Sequence, residues 1–342
     1  MTLQGVLAQL LRGEDLTVRD AEAVMQRIMS GEATDAQIAG LLVALCLKGE
    51  TVEEITGFAR AMRDHAIPVP TKASPLVDVC GTGGDGRGTF NISTTVSFVV
   101  AGAGLAVAKH GNRSVSSRCG SADVLEQLGV HLDLPPEAVG RCIDEVGIGF
   151  LYAPRLHPAM KHALGPRREL GIRTVFNLLG PLTNPARAQI QLLGVCDGLL
   201  TEPLAEVLRT LGCRSAFVVH GGGGMDELST LGPNRVARLD HGRVESFLLD
   251  PASFDLPLAT LSDLEGGDAE KNATILRTIL DGERGPRRDT VLLNAACVLV
   301  AAGRAPDVRE GMAAAAESID SGAACDRLDA LIELTQRLGR EP

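Results

Sequence analysis

Tryptophan is absent from this 342-residue chain, tyrosine occurs once, and aromatic residues make up only 3%. A protein that grips single-stranded nucleic acid by stacking bases needs an aromatic platform, which this chain barely supplies. A surplus of positive charge is missing too: 33 Lys and Arg stand against 43 Asp and Glu, a formal charge of −10. That balance argues against a broad phosphate-backbone footprint, so no nucleic-acid partner is expected and any anion site must be local. No CxxC pair occurs among the eight cysteines, which sit mostly in apolar runs and read as small buried hydrophobes of a reducing compartment. Met1 to Asp15 lacks the basic start and apolar run of a signal peptide, and the longest apolar run, Val96 to Ala108, is too short to span a bilayer. A cytoplasmic protein without membrane contact is expected. The GxSxG, HExxH, EF-hand and GxxxxGK(S/T) patterns are also absent, which removes the chemistries those spacings serve.

What is present is ordinary globular material, 45% apolar and 22% charged, and the length suggests about two domains. From Leu3 to about Ala66 apolar residues recur at helical spacing. Thr34 with Gln37 and Thr51 with Glu54 form capping-box patterns, so about four helices are expected. Pro68 to Pro75 is a connector. Strand, loop and helix patterns then alternate: strands at Leu76 to Cys80, Leu105 to Ala108, Ile148 to Tyr152 and Ala216 to His220, helices at Thr94 to Ala103, Pro136 to Val146 and Glu202 to Leu211. Arg238 to Leu249 reads as a hairpin around Asp240-His241-Gly242, and helices resume from about Ala269. This is the pattern of a mostly parallel sheet covered by helices.

In such sheets ligands bind beyond the carboxyl ends of the strands, and four post-strand segments stand out there. Cys80 to Thr94 contains GxGxxG at Gly81, Gly83 and Gly86, a weak signal alone. A dinucleotide fold would place an acidic residue about 20 positions further on, where this chain has Lys109-His110. Glycine-rich backbone ahead of Asn91, Ser93 and Thr94 suits phosphate; a plain capped turn is the alternative. Lys109 to Asp123 gathers cations, a histidine and serines as a flexible anion cradle, with Lys109 and Arg113 as point charges, or else as a solvated charged loop. Asp226-Glu227, after four glycines, offers hard oxygens to Mg²⁺ or is a surface pair. Arg167 followed by the uncharged Phe176 to Pro185 fits a pocket for a flat ring with a carboxylate, a crossover of the fold, or both.

Gly81-Thr82-Gly83-Gly84-Asp85, Asn91-Ile92-Ser93-Thr94, Lys109-His110-Gly111-Asn112-Arg113, Gly120-Ser121-Ala122-Asp123, Arg167, Asn177 to Pro185 and Asp226-Glu227 together resemble the anthranilate phosphoribosyltransferase family, in its order and spacing. The resemblance implies a small all-helical domain, residues 1–70 with a returning segment at about 165–185. It joins a larger α/β domain, residues 74–342, of the nucleoside phosphorylase and phosphoribosyltransferase kind with a mostly parallel central sheet. It implies transfer of the 5-phosphoribosyl group of PRPP to the amine of anthranilate, Mg²⁺ as cofactor, and a homodimer formed through the helical domain. Carried over residue by residue, PRPP would meet Gly81, Gly84, Asp85, Thr89, Asn91, Ile92, Ser93, Thr94, Lys109, His110, Gly111, Asn112, Arg113, Ser114, Val115, Ser116, Ser117 and Ser121. Mg²⁺ would meet Ser93, Asp226 and Glu227. Anthranilate would meet Gly81, Asn112 and Arg167, with His110 a candidate for orienting its amine. Two departures carry expectations of their own: Pro166 should alter the backbone before Arg167, and the unbroken glycine run should loosen the loop before Asp226. A pyrimidine nucleoside phosphorylase resembles the lysine loop only loosely and leaves Arg167 and Asn177 to Pro185 unexplained.

Overall fold

The computed structural model describes residues 2–114 and 118–341. Four helices come first: α1 (Leu3–Leu10), α2 (Val18–Met29), α3 (Asp35–Lys48) and α4 (Val52–His65). Each starts after a threonine (Thr2, Thr17, Thr34, Thr51) whose hydroxyl accepts the backbone N–H three residues on, a cap worth about 1 kcal/mol. Thr34 with Gln37 and Thr51 with Glu54 close complete capping boxes. Glu54 is fully buried and also accepts from Leu16 N and Lys48 Nζ, both at 2.9 Å, so one carboxylate ties the α1–α2 loop to the end of α3 and the start of α4.

The chain continues through β1 (Leu76–Gly81), α5 (Ile92–Gly102), β2 (Ala106–Gly111), α6 (Ser121–Gln127), α7 (Pro136–Val146), β3 (Ile148–Tyr152), α8 (Ala153–Leu156), α9 (Lys161–Leu170), α10 (Val175–Leu182), β4 (Ile190–Gly194), α11 (Thr201–Thr210), β5 (Ser215–His220), β6 (Asn234–Asp240) and β7 (Arg243–Leu249). Helices α12 (Ala269–Leu280), α13 (Pro286–Ala301), α14 (Val308–Asp320) and α15 (Ala323–Leu338) follow. The sheet order is β3-β2-β1-β4-β5-β6-β7. Strands β1 to β5 pair in parallel, and the β6–β7 hairpin is antiparallel. A small helical domain thus joins a larger α/β domain with a mostly parallel sheet.

Alternating residues on the strands feed two cores. Leu192, Val219 and Val236 pack among residues of α5, α12, α13 and α15. Their chain neighbours Leu193, Val218 and Ala237 face the opposite way, into a core shared by α11, α1–α4 and the returning helices α9 and α10. Two local expectations need correction. Strand β2 runs through Lys109, His110 and Gly111, and α5 begins at Ile92 rather than Thr94. In both places polar residues continue a regular element, because the backbone groups of these residues find partners inside the fold. The sequence pattern also gives no strand at 190–194, yet β4 is central and buried along its length. Gln191 breaks its apolar run, but the amide donates to Pro181 O at 2.7 Å and is satisfied indoors.

Candidate functional site

Strand order reverses between β1 and β4, which opens a crevice beyond their carboxyl ends. Gly81 and Gly194 end these strands. A Cβ on Gly81 would lie 2.4 Å from Asp226 Oδ2, and one on Gly194 would lie 1.5 Å from Asp226 O, so only glycine lets this aspartate in. Asp226 and Glu227 arrive there from β5 by a closed turn. Gly221 N donates to Met225 O at 2.8 Å, Gly224 N donates to Gly221 O at 3.0 Å, and Met225 is fully buried. The glycine run is therefore a tight anchored turn, not a loosened loop, because closure and the Met225 side chain supply what the glycines lack.

Both carboxylates hold the loops opposite them. Asp226 Oδ2 accepts from Gly83 N at 2.7 Å, and Glu227 Oε1 accepts from Ser93 N at 2.9 Å in the first turn of α5, where the helix dipole favours an anion. Asp85 Oδ2 accepts from Asp226 N at 3.4 Å. Burial, then the neighbouring Asp85, pushes the Asp226 carboxyl up; burial, then Asp226, does the same to Glu227. Crowded, part-buried carboxylates of this kind are hard oxygen donors that a divalent cation would relieve. Among the described residues no group of three or more His, Cys, Asp or Glu is set to hold a metal by itself. That donor set suits Mg²⁺, which takes one or two carboxylates and completes its shell with substrate phosphate and water.

Lys109 comes up beneath the same loops. It is 2% exposed, donates to Val79 O at 2.7 Å and Ser93 Oγ at 3.4 Å, and burial lowers its pKa. Beside it, buried Asp78 accepts from His110 N at 3.1 Å and from Asn184 Nδ2 at 2.8 Å. The Asn184 amide also donates to Ala108 O at 2.8 Å. The segment after α10 is thereby fastened across β1 and β2.

Two family descriptions match the chain: the glycosyl transferase family a/b domain over residues 73–325 and the glycosyl transferase family helical bundle domain over residues 4–66. The anthranilate phosphoribosyltransferase of Moorella thermoacetica is 58% identical over 330 residues, covering 96% of this chain and 97% of the relative. The chain belongs to the anthranilate phosphoribosyltransferase family. Among solved members, the Thermus thermophilus protein superposes with a TM-score of 0.92 at 48% identity, covering 96% of this chain and 99% of that one. The Saccharomyces cerevisiae member, in complex with PRPP and Mg, gives 0.89 at 29% identity with 98% of both chains covered.

Of the positions to which the family resemblance assigned PRPP, Gly81, Gly84, Asp85, Asn91, Ser93 and Lys109 lie on the loops and strand ends just described. Ile92 and Thr94 are fully buried, and the Ile92 N–H already donates to Phe90 O at 2.7 Å. Lys109 is not a point charge on a flexible loop, since it sits inside β2 with its ammonium bonded. Arg113 is committed as well: it bonds Glu126 at 2.7 and 2.8 Å, Asp123 at 3.0 Å and Tyr152 Oη at 3.3 Å. Asn112 O accepts from Ser121 Oγ at 3.3 Å and from Ala122 N at 3.2 Å, and Ser114 N donates to Asp123 Oδ2 at 3.0 Å. Val115, Ser116 and Ser117 lie outside the described residues.

Arg167 keeps its helix despite Pro166, because α9 runs unbroken from Lys161 to Leu170. Its guanidinium lies 5.1 Å from the centre of the Phe176 ring and makes no hydrogen bond or ion pair among the described residues. Burial lowers its pKa. Three features escaped sequence reasoning. The segment Leu261–Gly267 closes over the glycine-rich loop through Gly266 N to Gly88 O at 2.9 Å and Phe90 N to Leu264 O at 3.1 Å. A cleft of about 550 Å³ lies between that segment, Gly84 to Thr89 and Arg118. Asn272, 1% exposed, accepts from Gly267 N at 2.8 Å and donates to Asn91 Oδ1 at 2.9 Å, while Asn91 Nδ2 donates to Cys119 O at 3.2 Å. No local motif marks Asn272, since its partners lie far away in sequence.

His110 and His157 are buried with ring centroids 5.1 Å apart, and Nε2 of each lacks a partner among the described residues. His110 Nδ1 lies 3.2 Å from Gly180 O, and since a carbonyl only accepts, Nδ1 carries the proton and Nε2 is left as an acceptor. Burial first, then His157, pushes the His110 pKa down to about 3, and burial pushes His157 down to about 4. Both imidazoles are neutral in the fold, so the stability they confer is complete above the unfolded value of about 6.5. It is lost as pH falls toward about 4 and then about 3. Melting temperature should therefore decline below about pH 6.5, and His157→Phe should flatten that decline; parallel curves for the two proteins would exclude His157 as a source.

Proposed function

We propose that the chain transfers the 5-phosphoribosyl group of PRPP to the amine of anthranilate, giving N-(5-phosphoribosyl)anthranilate and pyrophosphate, a step in tryptophan biosynthesis. The observation that carries this reading is the meeting of a glycine-rich loop beyond β1, an Asp-Glu pair beyond β5 and a lysine buried within the end of β2. In the reaction the bond from ribose C1 to the pyrophosphate oxygen breaks, a C1–N bond forms, and the amine loses a proton. The ribosyl centre gains positive charge as the leaving group departs, so positioning and electrostatics dominate over base strength.

The assigned roles follow that charge flow. Gly81, Gly84, Asp85, Thr89, Asn91 to Thr94, Lys109 to Ser117 and Ser121 hold PRPP. Ser93, Asp226 and Glu227 would hold Mg²⁺, which neutralises the pyrophosphate leaving group when bound. Gly81, Asn112 and Arg167 receive anthranilate. The Arg167 guanidinium, seated on the Phe176 ring and unpaired among the described residues, is suited to a carboxylate. The neutral acceptor Nε2 of His110 is suited to an amine N–H.

We assign residues 1–70 with 165–185 to the helical domain and 74–342 to the α/β domain, a division supported by the core that α9 and α10 share with α1–α4. A homodimer formed through the helical domain is part of the proposal. Its support is apolar side chains left open on that side, Leu47 at 82%, Leu11 at 75% and Leu164 at 56% exposure. Among the described residues no helix is long and apolar enough to cross a membrane.

Loss of anthranilate fluorescence tests the reaction: turnover should need the protein, PRPP and Mg²⁺ together and stop with EDTA. No turnover, with PRPP still bound by calorimetry, would mean another acceptor. In the same assay Arg167→Ala should raise the KM for anthranilate roughly 10- to 100-fold, the worth of a charged hydrogen bond, and leave the KM for PRPP unchanged. An equal loss for both substrates would remove Arg167 from the acceptor site.

A further inference from the structure

Gly83 is held by both of its backbone polar groups, one bonded to the sheet side and one to the helical side. Its N–H donates to Asp226 Oδ2 at 2.7 Å, on the sheet side. Its carbonyl accepts from Arg173 Nη1 at 2.8 Å, on the helical side. Arg173 stands between α9 and α10, and its own carbonyl accepts from Cys46 Sγ of α3 at 3.3 Å. The base of this side chain is thus fixed to the helical bundle while its tip rests on the glycine-rich loop.

The contact fixes more than a distance. The Gly83–Gly84 peptide is planar and trans, so the Gly84 N–H points away from the carbonyl that Arg173 holds. Gly83 and Gly84 both adopt left-handed backbone, φ +65° and +76°, and neither has a side chain to resist rotation of the peptide between them. Released from Arg173, this Gly-Gly unit can turn over and present a carbonyl where an N–H stood. A phosphate attracts the N–H and repels the carbonyl. The guanidinium also fills the space over Gly84, where a Cβ would lie 1.7 Å from Nη1. Sequence alone hides the link, since about 90 residues separate the two partners.

We propose that Arg173 is a positioning residue for the phosphoribosyl donor: it reaches across from the helical domain and sets the direction of the Gly84 N–H that meets the donor's phosphates. This rests on the reading that the chain binds PRPP at this loop. It also makes the donor loop sensitive to where the helical domain stands, because Arg173 moves with α3, α9 and α10.

The test uses full-length Arg173→Ala, Arg173→Gln and Arg173→Lys beside the unaltered protein. Measured are kcat, both KM values, binding of pyrophosphate with Mg²⁺ by calorimetry, and melting temperature. Arg173→Ala should raise the KM for PRPP and weaken pyrophosphate binding roughly 10- to 100-fold, the range for one hydrogen bond to a charged group. The KM for anthranilate should stay within about twofold. Arg173→Lys should recover part of the loss, because a lysine supplies one donor without the planar fork, and Arg173→Gln less. Melting should not move, since the side chain is exposed. An Arg173→Ala protein that binds pyrophosphate and PRPP like the unaltered one overturns the proposal and leaves the function standing. So does a rise confined to the KM for anthranilate, or an equal loss for both substrates with a fall in melting temperature. If the unaltered protein neither turns over nor binds pyrophosphate, the functional reading itself fails.

Discussion

Asp226→Asn combined with Glu227→Gln is expected to lower kcat/KM for PRPP by roughly 100- to 1000-fold, the range seen when electrostatic stabilisation of a developing charge is removed. The Mg²⁺ titration should flatten along with it. Both amides keep an oxygen that can accept from Gly83 N and Ser93 N, so the loops stay in place and only charge is removed. The same change should raise melting temperature. Burial first, then repulsion from Asp85 at Asp226 and from Asp226 at Glu227, pushes both carboxyls upward, which means their ionised forms oppose the folded state. Lower activity with higher stability is the signature of a site held together at the expense of the fold. A metal titration identical to that of the unaltered protein would take the pair out of the site, whatever happened to kcat.

The second large effect lies far from the chemistry. Glu54→Ala should cost about 3 to 5 kcal/mol, because it strips the partner from a buried ammonium and leaves buried N–H groups unpaired. Lys48, with a side chain 7% exposed, would lose its buried counter-ion and keep the solvent-facing Asp15 and the Gly49 carbonyl, each at 2.7 Å. Leu16 N and Thr51 N would lose their acceptor outright. At about 2 to 4 °C per kcal/mol this amounts to roughly 10 °C in melting temperature, while turnover measured well below the transition stays near normal. Glu54→Gln, which can still accept from one N–H, should fall between. A melting curve for Glu54→Ala within about 2 °C of the unaltered one would show that the helical bundle is not held by this carboxylate.

Local signals carried far where the interaction is itself local. Thr34 with Gln37 and Thr51 with Glu54 are three residues apart, and the capping boxes they announce are present. The Asp240-His241-Gly242 turn places the β6–β7 hairpin because left-handed backbone at His241 and Gly242, φ +47° and +76°, sets the pairing without outside help. Signals weakened where partners are distant. Lys109 and His110 look like the start of a charged loop in sequence, yet both are buried in β2 because Val79 O, Ser93 Oγ and Asp78 wait for them across the sheet. Arg113 reads as a free cation until α6 delivers Asp123 and Glu126 to it. Strand β4 escaped notice because five residues carry little pattern and Gln191 interrupts it.

By itself, then, the sequence determined the helical start, the alternation that builds a parallel sheet, and the family. Those follow from periodicity, capping and residue type, all properties of neighbours in the chain. Tertiary structure alone decided that Asp226 sits against Gly81 and Gly194, that Glu227 meets the first turn of α5, and that Asn184, Asn272 and Arg173 hold the loops of the site from three directions. Each of those contacts joins segments tens of residues or more apart. Which donor meets which acceptor over such separations is fixed by strand order and by the packing of two cores against one sheet, and no short stretch of sequence encodes either.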